Sequence, residues 1–123
     1  MNDAPALVAR YLETWNETDD AARLAAVAGV WAEHGTYTDP LADVAGHDAI
    51  AGLVGALQAQ VPGHVFRPVE QSIDSHGSVL RFQWELVPAA GGEPLAVGFD
   101  VAATADDGRI ATVIGFLDKA PGA

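Results

Sequence analysis

Residues 96–117 read AVGFDVAATADDGRIATVIGFL, two apolar runs on either side of Asp106-Asp107-Gly108. Short apolar runs that flank an Asp-Gly pair are typical of a β-hairpin, and a turn at Asp107-Gly108 would set Asp100 opposite Gly115. Asp100 is the single charged residue between positions 96 and 104, and its neighbours on the same face of the strand are small: Ala96, Gly98 and Ala102. We therefore expect this face to border a hollow inside the fold, with the carboxyl group of Asp100 in its wall.

The opposite face of this hairpin is also apolar. It carries Val97, Phe99, Val101, Ile114 and Phe116, and the same turn would set Phe99 opposite Phe116. One face must line the interior, and the second then stays exposed unless another subunit covers it. The alternative places the aromatic pair in the core and Asp100 at the surface, which would remove any role for that carboxyl group. We predict the first arrangement, and with it a homodimer through the outer face of the sheet.

A further hairpin is predicted upstream, where residues 64–74 and 78–87 flank Ser75-His76-Gly77. A three-residue loop there would pair Asp74 with Ser78. The pairs that follow from this register are Arg67 with Glu85, Gln71 with Arg81, and Ile73 with Val79. They make one face of this hairpin largely polar, so we expect its apolar face to be covered by helices.

The first sixty residues show mostly helical periodicity. Asp3 and Pro5 are typical of a helix start, and the acidic residues of TDDAARL (18–24) favour a second one. We place Leu24, Val27 and Trp31 on the apolar stripe of this second helix. GTYTD (35–39) predicts a short strand, and GHDAIAGLVGALQAQ (46–60) a third helix. The order predicts an α+β domain, with the helices on one face of a curved antiparallel sheet.

Composition narrows the class of function. The chain has 123 residues, half of them hydrophobic, which predicts one folded domain over 1–123. Its formal charge of −11 disfavours nucleic acids, anionic membranes and strongly anionic substrates, so we expect a neutral, apolar small molecule as ligand. There is no cysteine, no apolar run long enough to span a membrane and no basic leader, which together predict a cytoplasmic protein.

The carboxyl group of Asp39, directly before Pro40, has two possible roles. The dipeptide is common in turns, but it follows a predicted strand and so could also place a catalytic base at the mouth of a pocket.

The four histidines are scattered, without the spacing of a metal site. No phosphate-binding or nucleophile motif occurs, so we expect neither a metal nor a cofactor.

The segments ARYLETWN, TYTDPLA and GFDVAATADDGRIATVIGF resemble bacterial Δ5-3-ketosteroid isomerase, within the nuclear transport factor 2-like (SnoaL-like) superfamily. The resemblance implies a cystatin-like α+β barrel, in which three helices from the N-terminal half pack on the concave face of a cone-shaped, curved, antiparallel or mixed sheet. It implies that Tyr11 and a protonated Asp100 form an oxyanion hole, and that Asp39 is the catalytic base. In that enzyme a carboxylic acid is kept neutral so that it can donate a hydrogen bond.

The sequence is compatible with three functions. The first is a cofactor-free, ketosteroid-isomerase-like enzyme that moves a proton on a neutral carbonyl compound; the second is a polyketide cyclase; the third is a non-catalytic binding module. Two acids in one wide pocket would favour the first, a single inward acid the second, and a pocket filled by aromatic side chains the third. We expect the pocket to be lined by Trp15, Trp31, His64, Phe66, Phe82, Trp84, Val113 and Gly115.

Overall fold

A computed structural model describes residues 3–120. The helices are α1 (Ala4–Asn16), α2 (Asp20–Val30) and α3 (His47–Gln60). The strands are β1 (Trp31–Asp39), β2 (Ala42–Ala45), β3 (His64–His76), β4 (Val79–Pro88), β5 (Ala96–Thr104) and β6 (Ile110–Lys119). The predicted α+β class and the order of the helices are confirmed.

Two of the helices begin at aspartates that cap them. The carboxylate of Asp3 accepts a hydrogen bond from the backbone N–H of Ala6, and Asp19 accepts one from Ala22. The prediction for the end of α2 is wrong, because Trp31 is the first residue of β1 rather than the last turn of the helix, and Leu24 is 40% exposed. Trp31 is nevertheless fully buried, so its apolar character gave no sign that the helix had ended.

The sheet has the strand order β2-β1-β6-β5-β4-β3 and does not close on itself. The β1 and β6 strands run parallel, whereas every other neighbouring pair is antiparallel. The short strand β2, which the sequence analysis did not predict, pairs with β1 through the tight turn at Pro40 and Leu41. Because β6 lies between β1 and β5, it brings the end of β1 close to the middle of β5.

The predicted register of the β5–β6 hairpin is confirmed, with Asp100 opposite Gly115 and Phe99 opposite Phe116. The turn itself differs from the prediction. Its loop has three residues, Asp106 to Gly108, and Gly108 adopts a φ of +85° that favours glycine. A register shift after Ala103 compensates for the longer loop, so the pairing around Asp100 is unchanged.

The β3–β4 register is partly wrong. His76 pairs with Val79, so the loop is shorter than predicted and Asp74 lies opposite Arg81 rather than Ser78. Residues 70–73 then bulge opposite a single residue of β4, and the Ser72 hydroxyl accepts the backbone hydrogen bond of Gln83 there. Beyond the bulge the predicted pairing of Arg67 with Glu85 is restored, and the two side chains form an ion pair at 2.9 Å.

The helices cover the sheet face that carries Asp100, as predicted. Ala96, Asp100 and Ala102 are buried, whereas Ile114 and Phe116 on the other face are 45% and 53% exposed. The core between the layers is rich in aromatic residues. Tyr11 and Trp15 of α1 contribute, as do Trp31 and Tyr37 of β1, Phe66 of β3 and Phe82 of β4.

Candidate active site

A cavity of about 180 Å³ lies between the helices and the concave face of the sheet. Its wall is mostly apolar. The lining residues are Tyr11, Leu12, Trp15, Tyr37, Asp39, Leu41, Leu57, Gln60, Val61, Phe66, Trp84, Leu86, Ala96, Asp100 and Leu117. The structure therefore brings Tyr11, Asp39 and Asp100, which are far apart in the sequence, to the wall of one cavity.

The carboxyl group of Asp100 is 2% exposed and only partly hydrogen-bonded. Its Oδ2 accepts a hydrogen bond from the hydroxyl of Tyr11 at 3.1 Å, while its buried Oδ1 has no partner. Burial raises the pKa of Asp100 to about 7, against the lowering effect of the Trp84 indole N–H and the Tyr11 hydroxyl. A neutral Asp100 with its proton on Oδ1 would accept from Tyr11 and still have a donor free for a ligand.

Tyr11 is held rigidly as a donor. Its ring contacts Trp31 and Phe82 at centroid distances of 5.9 and 5.5 Å, and it is 1% exposed. Burial and the neighbouring Asp100 raise the pKa of the Tyr11 phenol well above its ordinary value, so the hydroxyl keeps its proton.

Asp39 has a different environment at the end of β1. It is half-buried, and both of its carboxylate oxygens accept hydrogen bonds. The Tyr37 hydroxyl donates to Oδ2 at 2.7 Å, and the backbone N–H of Leu41 donates to Oδ1 at 2.8 Å. The carboxylate of Asp39 therefore closes the turn at Pro40 and also lines the cavity.

Gly115 on β6 lies behind these polar groups. A Cβ atom at this position would lie 2.8 Å from Asp100 Oδ1 and 3.4 Å from both the Asp39 Cβ and the Tyr37 hydroxyl. The absence of a side chain there allows the two acids and Tyr37 to share one small region. Gly115 was predicted to line the cavity, but it lies beneath the side chains that form the lining.

Trp84 and Gly98 form another close approach across β4 and β5. A Cβ on Gly98 would lie 2.0 Å from the nearest carbon of the Trp84 indole, so only glycine allows this ring to lie against β5. The indole borders the cavity, as Asp100 does, and it lowers the pKa of that carboxyl group. The ring shapes the cavity without filling it.

The other predicted lining residues divide into two groups. Trp15, Phe66 and Trp84 do line the cavity. Trp31, Phe82 and Val113 do not line it; they are packed in the hydrophobic core. His64 does not line it either; its Nδ1 lies 3.0 Å from the carbonyl oxygen of Pro62, at the start of β3.

Tyr37 was not among the predicted site residues. It precedes Asp39 by two positions on a strand, which sets both side chains on the same face, and this spacing was the available signal. The remaining lining residues, such as Leu57, Gln60 and Leu117, become neighbours only through the packing of α3 and β6. Local sequence patterns carry no sign of that packing.

Residues 3–120 contain neither a cluster of metal-binding side chains nor a helix that could span a membrane. No group of three or more histidine or acidic side chains there is placed to hold a metal ion. Within the same residues, no helix has the length and apolar character needed to cross a bilayer.

Comparisons with known proteins place the chain in a family. No protein with a curated description matches the chain. A candidate isomerase of the SnoaL-like family from Agrobacterium tumefaciens strain C58 is 36% identical, with a TM-score of 0.89 over 96% of this chain and 99% of that one.

More distant structures share the fold alone. A candidate polyketide cyclase from Sinorhizobium meliloti is 20% identical, with a TM-score of 0.70 over 92% of this chain and 95% of that one. A bacterial protein with a cystatin-like fold from Silicibacter pomeroyi DSS-3 is 19% identical, with a TM-score of 0.65 over 90% and 72% of the two chains. The SnoaL-like domain itself matches residues 8–113. The predicted superfamily is confirmed, and the chain belongs to the SnoaL-like domain family.

Proposed function

We propose that this protein is a cofactor-free isomerase that moves a proton on a neutral, apolar carbonyl compound through an enolate. One observation carries the proposal: a single apolar cavity holds two carboxyl groups in unequal environments. Asp100 is buried, with one oxygen free of partners, whereas Asp39 is half-exposed and accepts two hydrogen bonds. Such a difference is what divides acid and base roles between two carboxyl groups.

In the proposed reaction, Asp39 removes a proton from the carbon next to the carbonyl group. The electron pair of that C–H bond moves toward the carbonyl oxygen and forms an enolate. Protonated Asp100 stabilises the oxygen by a hydrogen bond from Oδ1, and Asp39 then returns its proton to a second carbon of the conjugated system. The atoms of the substrate are rearranged without any gain or loss, and no cofactor is consumed.

In the proposed reaction, Tyr11 has a different role from the direct oxyanion-hole donor that the resemblance implies. Its hydroxyl donates to Asp100 Oδ2 rather than to open space in the cavity. We propose that it supports the oxyanion through Asp100, by holding the carboxyl group so that its free oxygen faces the substrate. This differs from the expectation of two donors that contact the substrate side by side.

The size of the cavity favours a substrate smaller than a steroid. Its volume of about 180 Å³ is below the roughly 300 Å³ at the lower end of ligand pockets. A small cyclic enone would fit inside, whereas a steroid would extend past the mouth. The open space in the cavity argues against the non-catalytic binding module, for which we expected a pocket filled by aromatic side chains. The two acids on its wall argue against the polyketide cyclase, for which we expected a single inward acid.

The test is the conversion of a β,γ-unsaturated ketone to its conjugated isomer, followed by ultraviolet absorbance. We would assay 3-cyclohexen-1-one beside 5-androstene-3,17-dione with wild type, Asp39→Asn and Asp43→Asn. Asp43 is exposed on β2, outside the cavity lining, and is therefore the matched control. Loss of about 10²- to 10⁴-fold in kcat with Asp39→Asn alone supports the proposal. Wild-type rates equal to the uncatalysed rate with both ketones would reject it.

We also propose that the protein is a homodimer through the outer face of the sheet. The exposed apolar side chains of Ile114 and Phe116 lie there beside Phe99 and Val101. A contiguous apolar patch of this kind marks an interaction surface, and two copies related by a twofold axis would cover each other's patch.

A further inference from the structure

The carboxylate of Asp39 is held from two sides by its own strand and turn. Tyr37 and Asp39 are two positions apart on β1, so their side chains share a face, and the tyrosine hydroxyl donates to Oδ2 at 2.7 Å. The Leu41 N–H donates to Oδ1 at 2.8 Å. One donor on each oxygen leaves the carboxylate little freedom to rotate about its Cβ–Cγ bond.

The ring of Tyr37 has a fixed position. It is 4% exposed and contacts Trp15 and Trp31 at centroid distances of 5.4 and 6.3 Å. The strand beneath it pairs with Val44 of β2 on one side and with Val113 of β6 on the other. The hydroxyl therefore cannot move away from Asp39 without displacing the core.

The same hydroxyl also lies close to Asp100. Both the Tyr37 oxygen and Asp100 Oδ1 lie within 3.4 Å of the position that a Cβ of Gly115 would occupy. A phenol has one proton to donate, and in this structure the proton goes to Asp39. Each oxygen of Asp39 thus accepts a hydrogen bond, whereas Asp100 Oδ1 has no hydrogen-bond partner and can carry a proton that faces a ligand.

We propose that Tyr37 is a positioning residue that orients Asp39 as the base and leaves Asp100 as the protonated donor. This inference rests on the proposed function, since it concerns the proton transfer attributed to Asp39. The ring of Tyr37 borders the cavity, whereas its hydroxyl affects proton transfer through Asp39. Misplacing a base by a fraction of an ångström slows proton transfer without weakening binding.

The test compares Tyr37→Phe with Tyr11→Phe, a matched loss of a buried hydroxyl that donates to the other acid. With carbon-13-labelled aspartate, the Asp39 Cγ resonance is assigned by its absence in Asp39→Asn. We expect this resonance to move in Tyr37→Phe at neutral pH and to stay in place in Tyr11→Phe. An unmoved Asp39 resonance in a folded Tyr37→Phe variant overturns the inference.

Kinetics provide the second readout. Tyr37→Phe should lower kcat by about tenfold to a hundredfold with KM within about threefold, the loss of one hydrogen bond to a charged group. In the Asp39→Asn background the same change should have no effect, and a persisting effect would contradict action through Asp39.

Two further outcomes show whether the inference fails by itself, together with the proposed function, or only because a variant does not fold. If wild type has no isomerase activity, the proposed function fails, while the Asp39 resonance still decides whether Tyr37 holds this carboxylate. If Tyr37→Phe does not fold, 3-fluorotyrosine at position 37 keeps the ring and the hydroxyl. That protein should retain turnover within about threefold of wild type, and a loss as large as a hundredfold would overturn the inference.

Discussion

Replacing Asp100 by asparagine should stabilise the protein, and increasingly so as pH rises. The folded state raises the pKa of Asp100 from 3.8 to about 7, so the folded protein binds a proton there that the unfolded chain releases. Stability is therefore lost as pH rises from about 4 to 7, and is lowest once the group is ionised in both states. A shift of this size corresponds to about 4 kcal/mol at pH 8, but to under about 2 kcal/mol at pH 5.

Asparagine has nearly the same shape, carries no charge and offers Tyr11 an oxygen. Urea unfolding of wild type and Asp100→Asn at pH 5, 6, 7 and 8 measures the difference in the free energy of unfolding. We expect this difference to increase by about 2 to 3 kcal/mol between pH 5 and pH 8 in favour of the variant. Asp43→Asn, which also exchanges an aspartate for asparagine but at an exposed position outside the cavity lining, is the matched control. A constant difference for Asp100→Asn would refute the argument that burial keeps this carboxyl group protonated.

The remaining predictions concern the cavity, its mouth and the outer face. Gly115→Ala should place a methyl group 2.8 Å from Asp100 Oδ1 and cost about 1–3 kcal/mol of stability, as measured by urea unfolding. Gly52→Ala, in open space on α3, should be neutral or stabilising, and equal effects at both sites would contradict the packing. Leu41 borders the cavity although it is 84% exposed, so Leu41→Ala should weaken ligands that project from the mouth by about fivefold. Titrations of tryptophan fluorescence with phenols of increasing alkyl length measure this, and a uniform loss for short and long ligands would argue against a rim contact. Phe116→Glu should convert a dimer to a monomer in light-scattering measurements, and a wild-type monomer would rule out the proposed interface.

The sequence predicted the parts of the fold that depend on local pattern. The cap at Asp3, the acidic start of α2, the α3 helix and the pairing of Asp100 with Gly115 all follow from residues close together in the chain. The β3–β4 bulge depends on the Ser72 hydroxyl taking the place of a backbone acceptor. Strand propensity alone gives no indication of such a substitution.

The lining of the cavity was harder to predict than its polar groups. Phe82 and Trp84 share a face of β4, yet Phe82 lies opposite Asp100 in the core and Trp84 lies opposite Gly98 at the cavity. The difference arises from the missing Cβ of Gly98, which gives the indole room. An aromatic side chain looks the same in a sequence whether it fills a core or borders a hollow, and only the cross-strand neighbour distinguishes the two.

The central position of β6 has a consequence for the order in which this protein can assemble. The strand is the last of the six along the chain, but its hydrogen bonds join β1 on one side and β5 on the other. During synthesis, the segment with Asp39 and the segment with Asp100 both leave the ribosome before the strand that joins them. Pairing across about 75 residues, as between Thr36 and Thr112, carries a high cost in loop closure and slows folding. The cavity can therefore form only after this final strand has inserted, so ligand binding reports on completed folding and not on either half alone.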